Sequence, residues 1–82
     1  MHTDGNAVAG LLREIFTAEL TAAERRCESC GQRRPIAEHR HYEGAGHVLR
    51  CPACGDIGAI ISVRPNGYML HLRGTWLVAS AP

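Results

Sequence analysis

Cys27-Glu28-Ser29-Cys30-Gly31 and Cys51-Pro52-Ala53-Cys54-Gly55 place the chain's four cysteines in two Cys-x-x-Cys pairs with 20 residues between them. Thiolates paired at this spacing are the signature of one tetrahedral metal site, and the reading of these two stretches decides the fold. A glycine follows the second cysteine of each pair, where a tight metal-gripping turn needs a positive φ. Backbone amides in such turns can donate to the sulfurs, so the loop is shaped around negative charge as well as around geometry. Cys27, Cys30, Cys51 and Cys54 are therefore the expected ligands of one ion.

Other uses of four thiols fit less well. Two disulfides would need an oxidising compartment, and no charged segment followed by an apolar stretch marks the chain for export. A redox dithiol usually occurs as a single Cys-x-x-Cys at a helix start in a larger α/β unit. Zinc and iron both suit four sulfurs, and spacing does not separate them.

The chain has 82 residues and reads as one domain. A core of that size supplies only about 3–5 kcal/mol, whereas structural zinc contributes an apparent ~10–16 kcal/mol in small modules. No apolar run approaches the ~20 residues that cross a bilayer, and neither end carries a lipidation signal, so no membrane role and a cytoplasmic location are expected. Formal net charge is +1. Four bound thiolates and one divalent ion would lower it to −1, which weakens any argument from bulk charge to nucleic acid.

From Asp4 or Asn6, either able to cap a helix, the apolar residues Ala7, Val8, Leu11, Leu12, Ile15 and Phe16 recur at helical spacing. An amphipathic helix over residues 4–17 follows. Its stripe, with Leu12 and Phe16, can cover the domain's own sheet or serve a partner or a second copy. A four-cysteine ribbon spans residues 25–64. Within it, Ile36 to Tyr42 and His47 to Cys51 flank Glu43-Gly44-Ala45-Gly46 as a hairpin, and Ile57, Ala59, Ile61 and Val63 alternate as one apolar strand face. Pro65-Asn66-Gly67 then turns the chain into hairpin strands over residues 65–79, with Tyr68, Leu70 and Leu72 facing inward and a last strand from Thr75 to Ala79. Trp76 reads as a core plug. The pieces describe a small metal-bound α+β fold: a zinc ribbon with an antiparallel sheet and an added N-terminal amphipathic helix.

A four-residue turn would set Tyr42 against His47 and His41 against Val48, leaving His39 and His41 on one sheet face and His47 on the other. These histidines then read as solvated or partner-facing, with a second metal site as the alternative. All nine basic residues are arginine, and Arg25, Arg26, Arg33, Arg34, Arg40 and Arg50 gather around the first knuckle and the hairpin. They can offset the net −2 of a zinc tetrathiolate, meet an acidic protein surface, or contact phosphates. The eight acidic residues lie scattered, and four cysteines close a tetrahedron that a catalytic zinc would leave open, so no enzyme is expected.

The two knuckles, with Cys51-Pro52-x-Cys54-Gly55, resemble those of rubredoxins, which use iron to carry electrons. Rubredoxins are acidic and pack an aromatic core, whereas this chain has only Phe16, Tyr42, Tyr68 and Trp76 and carries arginines beside its knuckles. Asp4-Gly5-Asn6-Ala7, the Ala-Gly-Leu helix start, Phe16, Cys27-x-x-Cys30-Gly31, Cys51-Pro52-x-Cys54 and Leu72-Arg73-Gly74-Thr75 resemble a family of short zinc-ribbon-like proteins of high-GC bacteria, a domain-of-unknown-function family. That resemblance implies a zinc-ribbon-like protein with no assigned activity; genes of the family often lie beside those of oxidoreductases, an association that would favour an accessory or maturation role with a redox enzyme. The expected function is a non-catalytic protein-interaction module with one Zn²⁺. A nucleic-acid-binding zinc ribbon and a rubredoxin-like iron carrier stand as alternatives.

Overall fold

The computed structural model describes residues 3–16 and 23–78, with the backbone alone at Asn6 and Phe16. Along them run β1 (Thr3–Asp4), a 3-10 turn (Gly5–Val8), α1 (Ala9–Phe16), β2 (Glu24–Arg26), β3 (Arg33–Pro35), a second 3-10 turn (Ile36–Glu38), β4 (Arg40–Glu43), β5 (His47–Arg50), β6 (Ile57–Arg64), β7 (Gly67–Leu72) and β8 (Thr75–Leu77). The strands form two antiparallel sheets, one in the order β1-β4-β5-β6-β7 and the other in the order β3-β2-β8. The mostly antiparallel architecture with one helix agrees with the sequence.

Val8, Leu12, Ala23, Ile36, Leu49, Ala59 and Ile61 make the core, with Leu11, Ile15 and Trp76 packed against it. Alternation along β6 sends Ala59 and Ile61 inward, and cross-strand register places Leu49 beside Ala59 on the same face. Helix α1 lays Leu12 on this face at 0% exposure, while Arg13 and Glu14 stay exposed. Leu12 is therefore part of the domain's own interior.

Several local expectations are corrected. The helix does not begin at Asp4: that residue lies in β1, opposite Arg40 of β4, and a 3-10 turn separates it from α1. Two residues carry no periodic signal, so β1 was invisible in the sequence. Ile36 to Glu38 form a 3-10 turn rather than the start of a strand, because Ile36 leaves the β2–β3 hairpin to enter the core. The turn between β4 and β5 holds three residues, Gly44 to Gly46, so Glu43 faces His47 and Tyr42 faces Val48. The last hairpin turns through Pro65 and Asn66, with Gly67 paired to Arg64. Tyr68, Leu70 and Leu72 are only partly covered, and every residue of β7 is exposed. The expected helix end at Thr17 and strand end at Ala79 lie outside the described residues.

A bulge interrupts the pairing of the two central strands. Between Leu49 and Arg50 the β5–β6 register shifts, so that Leu49 faces Ala59 but Arg50 faces Ile57. Gly58 is the residue left between, and its carbonyl accepts from Arg73 N–H at 2.9 Å.

Truncating Leu12 to Ala should destabilise the metal-loaded protein by about 2–5 kcal/mol in denaturant unfolding. Leu12→Asp should abolish the fold; an intact fold with a changed oligomeric state would instead make the stripe an interface.

Candidate metal centre

Each cysteine pair occupies the turn of an antiparallel hairpin, and the two hairpins belong to different sheets. Cys27 to Cys30 join β2 to β3, whereas Cys51 to Cys54 join β5 to β6. The turns repeat one another bond for bond. Cys27 N–H donates to Gln32 O at 2.9 Å and Cys51 N–H to Asp56 O at 2.8 Å; Gly31 N–H and Gly55 N–H donate back to Cys27 O and Cys51 O, both at 2.9 Å. Gly31 and Gly55 adopt φ of 76° and 80°, the left-handed conformation that a side chain would strain.

The result brings all four sulfurs within 4.8 Å of one another. Across the cluster Cys27 Sγ lies 3.6 Å from Cys54 Sγ, and Cys30 Sγ 3.8 Å from Cys51 Sγ. Zn–S bonds of ~2.3 Å in a regular tetrahedron require sulfurs ~3.8 Å apart, so the donor set fits one ion of that size. The four cysteines are free thiols, which sets aside the two-disulfide framework. Cys27 and Cys51 are buried, while Cys30 and Cys54 are exposed.

Electrostatics oppose a bare cluster. Burial raises the Cys27 pKa, but the amides of Cys30 and Ser29 and the neighbouring thiols of Cys54 and Cys30 outweigh it and bring the thiol down to about 6. At Cys54 the Asp56 amide favours the thiolate, yet burial and the thiols of Cys27, Cys30 and Cys51 push it up to about 12. One thiolate forms readily, and crowding resists the last. A divalent cation removes that resistance.

Around the sulfurs, a ring of side chains ties the two turns together. Ser29 Oγ donates to Asp56 Oδ2, from the first knuckle to the residue after the second. Arg73 Nε donates to Glu28 Oε1 at 2.6 Å, and Arg73 Nη1 lies 3.6 Å from Asp56 Oδ1. Arg50 Nη1 donates to Gly55 O at 3.0 Å, with its guanidinium 5.6 Å from the centre of the Tyr42 ring. Sequence reasoning missed Arg73 as a partner of this site, because 45 residues separate it from Glu28.

The remaining arginines split by strand alternation. Arg25 is only 1% exposed, so its guanidinium is not offered to a partner. Its Nε donates to Arg73 O at 2.8 Å and its Nη1 to His39 Nε2 at 3.3 Å. A Cβ on Gly58 would stand 2.6 Å from the Arg25 Cζ, so the glycine at the bulge is what admits the side chain. Arg26 and Arg33 face each other across β2–β3, and Arg33 pairs with Glu24 at 3.1 Å. Arg34 reaches Glu38 at 3.4 Å. Arg26, Arg33 and Arg34 are exposed, whereas Leu12 is core; the Phe16 side chain lies outside what the structure describes.

The histidines separate differently from expectation. His39 is buried in the junction between Arg25 and Pro35. Because arginine only donates, His39 Nε2 must accept, and Nδ1–H then donates to Pro35 O at 3.0 Å. His41 and His47, expected on opposite faces, share one: His41 Nε2 lies 2.9 Å from His47 Nδ1, with the rings 18° from parallel. The three-residue turn accounts for this, since a slip of one residue flips every side chain of a strand.

The chain is thus a small antiparallel-sheet protein whose two sheets meet at four clustered cysteines, compatible with one bound metal ion. The chain belongs to the family of unknown function DUF6510, whose family model matches residues 1–82. No curated protein and no solved structure matches it.

Burial holds the His39 pKa below its ordinary 6.5; the Pro35 carbonyl opposes the shift, and Arg25 adds to it. The unfolded chain therefore takes up the proton more readily, so this histidine's contribution to stability is present above pH ~6.5 and is lost as the pH falls through the lowered folded value. Thermal melts of metal-loaded protein should lose stability below pH ~6.5 more steeply in the native chain than in His39→Gln. Parallel acid slopes would show that His39 does not sit neutral against Arg25.

Proposed function

We propose that this chain is a zinc ribbon in which Cys27, Cys30, Cys51 and Cys54 hold one structural Zn²⁺, serving as a non-catalytic interaction or accessory module. The observation that carries the reading is the set of sulfur separations, 3.6 and 3.8 Å, made by two matching turns from different sheets. Four thiolates fill a tetrahedron and leave no position for water or substrate, which favours a structural ion over a catalytic one. Zinc is preferred to iron because Arg73 and Arg50 bracket the knuckles and no aromatic core surrounds the sulfurs among the described residues.

An interaction role is supported by the surface away from the metal. Val63 and Met69 on the β6–β7 hairpin are 59% and 57% exposed, and Leu70 and Leu72 are also exposed on a strand that ends its sheet. This surface favours a protein partner. Binding to nucleic acid is less well supported, because Arg33 and Arg34 already meet Glu24 and Glu38 and Arg25 is buried. The cleft of about 320 Å³ bordered by Arg26, Arg33 and Thr75 would be its place.

Elemental analysis of natively produced protein should return at least one zinc per chain, and chelation should unfold it, followed by the loss of far-ultraviolet strand signal. Cys51→Ser should abolish metal retention. A red, iron-loaded preparation would establish the electron carrier instead. Fluorescence anisotropy with single- and double-stranded DNA and RNA should show no binding. Affinity that falls steeply with salt and weakens in Arg26→Ala/Arg33→Ala would replace the accessory reading with a nucleic-acid one.

A further inference from the structure

Away from the cysteines, the β4–β5 hairpin gathers a second donor set. His41, Glu43 and His47 each place one ligand atom within 4.8 Å of the others. Glu43 stands opposite His47, and His41 lies two residues along β4, so register alone puts the three side chains on one sheet face. His47 Nδ1 is 2.9 Å from His41 Nε2 and 3.6 Å from Glu43 Oε1. His41 is 5% exposed, and the His47 side chain is 20% exposed, so the site opens to solvent through His47 and Glu43.

We propose that His41 Nε2, His47 Nδ1 and the Glu43 carboxylate form a second metal-binding site, selective for a divalent transition ion such as zinc, with one coordination position left for water. The chemistry of the donors argues for a cation over a simple hydrogen bond. A neutral pair has one proton to place between two ring nitrogens 2.9 Å apart. If His47 Nδ1–H donates to His41 Nε2, that proton is not available to Glu43, which faces the same nitrogen. A cation in the proton's place satisfies both imidazoles and the carboxylate together. Ring nitrogens ~2.0–2.1 Å from a tetrahedral ion stand ~3.3 Å apart, so the pair needs to open by only a few tenths of an ångström.

Support behind the first ligand is already in place. Thr3 Oγ1 lies 2.7 Å from His41 Nδ1, where it can accept Nδ1–H and turn the Nε2 lone pair toward the ion. Both imidazoles and the carboxylate sit on one hairpin closed by three residues, so little chain entropy is lost in bringing them together. Two nitrogens and one oxygen suit zinc, copper or nickel better than calcium or magnesium.

The test uses the full chain with its cysteine site already loaded. Calorimetric titration of Zn²⁺ near neutral pH should show a second equivalent per chain, absent in His47→Gln. Thr3→Val should weaken it by about 10–100-fold. A parallel Co²⁺ titration of the metal-stripped full chain separates the two sites, because thiolate-to-cobalt charge transfer marks only the cysteines. An unchanged charge-transfer band in His47→Gln shows that the fold survives. Stoichiometry that stays at one, or a second equivalent that persists in His47→Gln, overturns the site while leaving the cysteine reading intact. Loss of the charge-transfer band in the native chain would overturn the cysteine reading alone.

Discussion

Four sulfurs held within 4.8 Å of one another crowd four ionisable donors where the turn of one sheet meets the turn of the other. The rest of the structure is arranged around that constraint. The apolar core lies elsewhere, where α1 covers the inner face of β5 and β6, and it consists of a few residues including Leu12, Ile36, Leu49 and Ile61. Such a core contributes only about 3–5 kcal/mol, so the β2–β3 hairpin depends on what happens between the sulfurs. Crowded thiols resist their last ionisation, as Cys54 shows, whereas the same thiols around a divalent ion would join the two sheets at their turns.

Arginine is the second material of this junction. Arg73 reaches Glu28 of one knuckle and Asp56 beside the other, and its backbone is gripped on both sides, with N–H donating to Gly58 O and carbonyl accepting from Arg25 and Trp76. A buried guanidinium is expensive unless its donors are met: Arg25 meets a carbonyl through Nε and the neutral nitrogen of His39 through Nη1, while its buried Nη2 has no partner among the described residues. Grouping the arginines by nearness in sequence was therefore misleading. Arg25 and Arg26 are neighbours in the chain, yet alternation along β2 buries the first and exposes the second.

What could be read from the sequence was local. The knuckles were legible because cysteine spacing and the glycine after each pair are set within five residues, and the inward face of β6 was legible because Ala59 and Ile61 alternate cleanly. The helix was legible as an amphipathic stripe, though not its 3-10 entry. Pairing between distant residues was not: β1 owes its existence to β4, and Arg73 owes its place in the site to acids 17 and 45 residues away. The histidine pair was missed by one residue. Reading Glu43 into the turn shifts the register, and on a strand with period two that error separates His41 from His47 completely.

The bulge in β5–β6 links these observations. Strand β5 begins at His47, beside the histidine pair, and ends at Arg50, one residue before Cys51. If its pairing with β6 continued without interruption from His47–Ile61, Arg50 would face Gly58 and the second knuckle would be turned by one residue against the first. The extra residue at Gly58 absorbs that step and adds local twist, so the register at the histidine end and the register at the cysteine end are set separately. Because the extra residue has no side chain, the space beside it is available to Arg25, and its carbonyl fixes Arg73. A single glycine thus reconciles a hairpin that pairs two histidines with a knuckle that faces its counterpart across the two sheets.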